Sequence, residues 1–225
     1  MNDLSQSHIA SESGTASQRS EERIPLIRTA KLILDHGEYP CVLRDISSGA
    51  LRIKFYETPL PEAGEPFWLE FGDGERFEVS LIWSRGDQAG LAFKDHQSLL
   101  SLLGDNGPFQ KRAIRIAVDL PASIKSLGRL TDVIISDLSH EGAHVRCGHQ
   151  LSIDQQIRLQ IPALGEIFAK VRWRQHPDYG LAFVETFHFE EVARLAPNLQ
   201  ALSKVWREAR RESANIGGDA SGIAA

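Results

Sequence analysis

Cysteine is nearly absent: Cys41 and Cys147 are the only two in 225 residues. Two thiols build no disulfide framework, which points to a reducing compartment and sets aside the small stapled secreted classes. Long apolar runs are missing too. No stretch approaches the roughly 18 consecutive apolar residues of a membrane helix, so no membrane insertion is expected. Residues 1–18 are rich in Ser, Ala, Glu and Gln without a basic start or apolar core; they read as a disordered leader, not a signal peptide. A cytoplasmic location follows from these readings. There is no excess of basic charge either. A net charge of −5 provides no global field for a long polyanion, so DNA is not an expected partner. A local arginine cluster can still hold a small anion. Finally, the chain lacks a phosphate-binding glycine loop followed by Lys-Ser/Thr, a nucleophile elbow and a His-Glu-x-x-His helix, and shows no acid–base pair of carboxylates. No enzyme is expected.

What is present is a repeat. Asp45-Ile46-Ser47-Ser48-Gly49-Ala50 returns as Asp137-Leu138-Ser139-His140-Glu141-Gly142-Ala143. Leu81-Ile82-Trp83 and Gly90-Leu91-Ala92-Phe93 return as Val171-Arg172-Trp173 and Gly180-Leu181-Ala182-Phe183. The copies lie roughly ninety residues apart, long enough for each to bury its own core, so two related domains are expected. Features kept in both copies belong to the fold; features that differ mark a division of labour.

Each unit reads as six short strands at intervals of about 8–12 residues. In the first, Leu51-Arg52-Ile53-Lys54-Phe55 alternates apolar and basic residues as a half-buried strand does. The expected fold class is all-β: two tandem small antiparallel six-stranded β-barrels, each followed by a short helix. Closure removes the exposed edges of the sheet. The expected organisation is a leader over 1–18, domain one over 19–104, a Gly/Asn/Pro linker over 105–109, domain two with a C-terminal helix over 110–212, and a disordered tail over 213–225. In that last helix Val192, Leu195, Leu199, Leu202 and Trp206 form an apolar stripe, and Pro197 is expected to break or kink it. The stripe packs on the second barrel or pairs with another chain as a homodimer.

Upstream of the first Asp-x-Ser turn stand Arg19 and Arg23, spaced Arg-x-x-x-Arg; upstream of the second stand Lys111, Arg112 and Arg115. A basic pair, a hairpin, Asp-x-Ser-x-x-Gly and a Trp-to-Gly-Leu-Ala-Phe ending resemble the PilZ family over roughly residues 19–95 and 110–188. The resemblance implies a six-stranded barrel that binds cyclic di-GMP without catalysis or any cofactor, using Arg19, Arg23, Asp45, Ser47 and Gly49 in the first unit. In the second it implies Lys111, Arg112, Arg115, Asp137, Ser139 and Gly142. The residue types suit a guanine dinucleotide: arginine pairs with guanine or phosphate and stacks on the purine, and a carboxylate accepts from guanine N1 and N2. Ordering of residues 17–25 over the barrel on ligand binding is implied, and a protein partner is expected to read it. The alternative is a nucleotide-independent adaptor of the same fold, acting through protein contacts.

Each copy departs from the pattern. Gly49 arrives one residue early and Ala50 stands where the glycine falls, which reads as a deletion that tightens the first turn and shifts Asp45 or Ser47. Lys111 replaces the second unit's first arginine, and a point charge reproduces neither stacking nor a bidentate contact. The first unit is therefore the favoured site. His140, His144, Cys147 and His149 lie close together, but strand alternation separates His144 from Cys147 and no zinc-finger spacing is present. Trp83 and Trp173, beside apolar strand residues, read as core or barrel-end packing and not as stacking platforms.

Overall fold

The computed structural model describes residues 23–72, 74–99, 112–162 and 164–218. The first barrel contains β1 (Ile24–Leu34), β2 (Gly37–Ile46), β3 (Ala50–Lys54), β4 (Pro66–Phe71), β5 (Arg76–Arg85) and β6 (Gln88–Phe93). The second contains β7 (Ile116–Ser126), β8 (Arg129–Leu138), β9 (Gly142–Cys147), β10 (Gln156–Ile161), β11 (Gly165–Gln175) and β12 (Asp178–Phe183). Both sheets are closed and antiparallel. The first runs β1-β2-β3-β6-β5-β4, and the second repeats that order from β7.

Period-two alternation builds each wall. In β4, Phe67, Leu69 and Phe71 are buried while Trp68 between them is exposed; in β3, Leu51 and Ile53 point inward and Arg52 outward. Each such fully buried aliphatic or aromatic side chain stabilises the fold by about 1.5–3 kcal/mol. The pairs Ala30–Phe71 and Leu159–Ile124 lie on the seams that join β1 to β4 and β7 to β10.

The helix α1 (Phe189–Gly218) follows the second barrel. Its start is fixed by Glu191, whose carboxylate accepts the amide of His188 at 2.6 Å as a capping residue does. Val192, Ala193, Ala196, Leu199, Gln200 and Ser203 are all buried at three- and four-residue steps. They face both β7 and β2, so the helix fills the crevice between the barrels.

Four expectations are corrected here. Of the apolar stripe, Val192 and Leu199 are buried within the chain while Leu202 is exposed, the helix touches both barrels, and the homodimer is left without support. The helix is not broken at Pro197: burial of Val192, Ala193, Ala196 and Leu199 outweighs the local penalty of about 3 kcal/mol. It also continues past 213 to Gly218, where the Gly217-Gly218 pair removes helical preference. Each tryptophan of the repeat, Trp83 and Trp173, is 43% exposed and so is not core. The leader 1–18, the linker 105–109 and most of the short helix expected after the first barrel lie outside the described residues. Among the described residues, no helix is long and apolar enough to cross a membrane.

Candidate functional site

The two Asp-x-Ser turns are the same turn. The Ser47 amide bonds the Ala50 carbonyl at 2.7 Å, and the Ser139 amide bonds that of Gly142 at 2.8 Å. Asp45 faces Arg52 and Asp137 faces His144, each seven residues on. The expected deletion is therefore absent. Ala50 is the counterpart of Gly142, and Gly49 that of Glu141; their carbonyls accept the amides of Phe93 and Phe183. Gly142 does require its missing side chain, because a Cβ there would run into the Leu181 carbonyl.

Both serines are buried. Ser47 Oγ donates to the Ala50 carbonyl at 3.2 Å and accepts its amide at 3.1 Å. Ser139 Oγ donates to the Gly142 carbonyl at 3.1 Å and accepts the Glu141 amide at 3.3 Å. Their hydroxyls thus organise the turn, while buried Asp45 and partly exposed Asp137 each meet an arginine.

Bulges aim those aspartates. Between Leu43 and Asp45, and again between Ile135 and Asp137, the strand carries one extra residue that re-aims the side chain after it. Arg23, at the threshold of β1, places Nη1 2.7 Å from Asp45 Oδ1, and Arg52 Nη2 meets Asp45 Oδ2 at 2.5 Å. In the second barrel Arg115 Nη1 lies 2.6 Å from Asp137 Oδ1. There His144 replaces the second guanidinium, with Nδ1 3.3 Å from Asp137 and Nε2 3.1 Å from Asp178; Arg146 Nε also reaches Asp178 at 3.4 Å.

The row extends sideways across the sheet. Arg52 faces Gly90 and Gly90 faces Trp83; likewise His144 faces Gly180 and Gly180 faces Trp173. A Cβ on either glycine would collide with the indole, so the ring lies flat across the neighbouring strand. A second bulge, between Leu81 and Trp83 and between Val171 and Trp173, turns the tryptophan outward. In the second barrel the His144 and Trp173 rings are 5.3 Å apart. Each barrel thus displays in line a carboxylate, a nitrogen-bearing side chain (Arg52 or His144) and an indole.

The structure brings together Arg23, Asp45, Ser47 and Gly49, and separately Arg115, Asp137, Ser139 and Gly142. Arg19 and Lys111 lie outside the described residues. Arg112 runs along the first barrel, its carbonyl against Gly72. Sequence reasoning missed Arg52, His144 and Asp178 and set aside the tryptophans; the seven-residue spacing from each aspartate was the available signal. Among the described residues no cluster of His, Cys, Asp or Glu is arranged to hold a metal ion.

Fold and site together define a tandem of small closed β-barrels, each with a guanidinium–carboxylate corner beside the same turn. The chain belongs to the PilZ domain family, whose model matches residues 17–103 and again 109–196. Among solved structures it is similar to PlzA of Borreliella burgdorferi in complex with c-di-GMP: 20% identity, 80% of this chain and 94% of that one, TM-score 0.32. It is also similar to Escherichia coli YcgR in complex with c-di-GMP, at 16% identity over 84% and 88% with TM-score 0.31. K. pneumonia MrkH in its apo state matches at 16% identity over 82% and 90%, with TM-score 0.30. Comparison with curated proteins gives no match.

Proposed function

We propose that this protein is a non-catalytic receptor for cyclic di-GMP in bacterial signalling. Family membership supports the ligand class, and one observation carries the reading: Arg23 and Arg115 occupy the same place in the repeat and both close on the aspartate of the Asp-x-Ser turn. That pair holds the cation at the corner. A dinucleotide displaces or straddles it, taking the guanidinium with phosphate or a guanine edge and the carboxylate with guanine N1 and N2. The exposed indole beside it offers a face for a base.

The first barrel is the stronger site. Its corner sets Arg23 and Arg52 against the single carboxylate of Asp45. The second sets Arg115, Arg146 and the His144 imidazole against Asp137 and Asp178. Two guanidiniums on one carboxylate leave surplus positive charge for a dianion; the second corner is balanced when the imidazole is neutral. Arg23, Ile24 and Pro25 are already held at the barrel; Arg19 and the residues just before Arg23 join the first corner on binding, and a protein partner reads the change.

Calorimetric titration with cyclic di-GMP tests this on the native protein, Arg23→Ala, Arg115→Ala and the double variant. A ligand at 100 times its dissociation constant also stabilises the native state by about 2.7 kcal/mol, visible as a thermal shift. Binding that weakens most in Arg23→Ala and vanishes in the double variant is expected. Neither heat nor thermal shift for the native protein overturns the receptor reading. The adaptor reading then stands.

A further inference from the structure

Lys31 and Glu38 belong to the first barrel, yet their side chains close on the backbone that begins the second. Lys31 is 7% exposed. Its Nζ meets Glu38 Oε2 at 2.8 Å, Glu70 Oε1 at 3.0 Å and the carbonyl of Arg115 at 2.9 Å. Three acceptors use all three donors of the ammonium. Glu38 Oε2 also accepts the amide of Ala117 at 2.7 Å. One ion pair thus grips a carbonyl and an amide two residues apart, on either side of the start of β7. From α1, Gln200 donates to the carbonyls of Glu38 and Ala117 at 3.2 and 3.0 Å. Gly37 leaves room for that glutamine, and Gly72 for the Arg112 carbonyl.

The internal repeat supplies the control. By strand register the counterparts of Lys31, Glu38 and Glu70 are Ser123, Leu130 and Gln160. None of these is charged; Ser123 bonds Gln160, and Leu130 is exposed. The counterparts of Gly37 and Gly72 are Arg129 and Pro162. Desolvating a lysine and two glutamates is costly, and the fold carries that cost only in the barrel that receives the Arg115 segment. A general role in barrel stability would call for the group in both copies. A clamp on residues 115–117 calls for it in one.

We infer that Lys31 is a positioning residue for the second barrel's corner. It fixes the Arg115 backbone so that the guanidinium lies on Asp137, and through Arg115 it sets that corner's affinity for a cyclic dinucleotide. This rests on the nucleotide-binding reading; Lys31 itself touches no ligand. Coupling between sites is reciprocal, so an occupied second corner tightens the joint in turn.

The test uses the full chain carrying Arg23→Ala, which leaves the second corner as the site. Lys31→Met is compared with Lys31→Arg, and Glu38→Gln serves as a second route should the first variant fail to fold. One readout needs no nucleotide: the rate of tryptic cleavage after Arg115. The other is calorimetric titration with cyclic di-GMP. Lys31→Met is expected to raise cleavage after Arg115 and to weaken binding about tenfold, within the usual range of coupling energies. Lys31→Arg should recover part of both, and Glu38→Gln should move both in the Lys31→Met direction. Unchanged cleavage, or faster cleavage with unchanged affinity, overturns the positioning role. Faster cleavage in a parent that binds no nucleotide leaves the clamp standing and removes the receptor reading for this corner.

Discussion

Trp83 lies across Gly90 of the neighbouring strand, and the second barrel repeats the arrangement with Trp173 and Gly180. The seven-residue interval between tryptophan and glycine is therefore a cross-strand contact: the ring needs a residue without a Cβ beneath it. Gly90→Ala and Gly180→Ala each force the indole off its strand, at a cost of about 1–3 kcal/mol by the usual penalty for overpacking. Urea unfolding followed by tryptophan fluorescence should show both the lower midpoint and an altered native-state emission. Unaltered emission in both variants would show that the ring does not rest there.

Ser47 and Ser139 stand among the residues that the family resemblance assigns to the ligand, yet their hydroxyls are spent inside the turn. Ser47→Ala and Ser139→Ala should each lower stability by about 1–2 kcal/mol, since a buried backbone group loses its partner. Chemical denaturation gives the loss. A variant with native stability and abolished nucleotide binding would instead make the serine a ligand contact.

Much of this was legible in the sequence. Alternation in Leu51-Arg52-Ile53-Lys54 gave the inward and outward faces, and the repeat gave two barrels. The motif singled out Arg23 and Arg115 upstream of the turns whose aspartates they contact. The partners across the sheet were harder, because a strand sequence does not state its register. Arg52 and His144 reach their aspartates only after a bulge shifts the pairing by one. A second pair of bulges, in β5 and β11, turns Trp83 and Trp173 outward from segments that read as apolar. The apparent deletion at Gly49 misled because the turn is fixed by the serine amide and the carbonyl three residues on, a closure shared by Gly49-Ala50 in one copy and Glu141-Gly142 in the other. The reach of α1 to β2 was invisible, since the three- and four-residue stripe names a buried face but not what buries it.

The β7–β8 hairpin holds a fully exposed Leu127 at φ 49°, followed by Gly128 at φ 78°. Two positive φ values define a type I′ turn, for which asparagine is far better suited at the first position than leucine. Leu127→Asn should raise stability by roughly 0.5–1 kcal/mol, of the order found for relieving comparable backbone strain. Thermal unfolding measures it, and a fall in midpoint would show that Leu127 is not strained in this turn.

Cys41 sits fully inside the first barrel, and burial pushes its thiol well above the ordinary range. The thiolate is the reactive form, so the native protein should resist alkylation at this residue even near pH 8.5, the ordinary thiol value. Mass spectrometry after iodoacetamide treatment should find Cys41 unmodified in the native state and modified in denaturant. Rapid labelling of native protein would show that the first barrel opens readily.

The two corners differ at the position across from the aspartate, Arg52 in the first and His144 in the second, and in Asp178, which faces only the latter. If surplus charge sets the order of affinity, exchanging that residue should move it. His144→Arg adds a permanent cation beside Asp137 and should tighten cyclic di-GMP at the second corner by up to about fivefold, the roughly 1 kcal/mol that an exposed ion pair is worth. Arg52→His should weaken the first by a similar factor. Both changes should shrink as salt is raised, because these side chains are partly exposed and screening acts within about 10 Å at 0.1 M. Calorimetry of each variant in the background that silences the other corner separates the sites. An affinity order that stays fixed through both exchanges would mean that shape or stacking on Trp83 and Trp173, and not charge, ranks them.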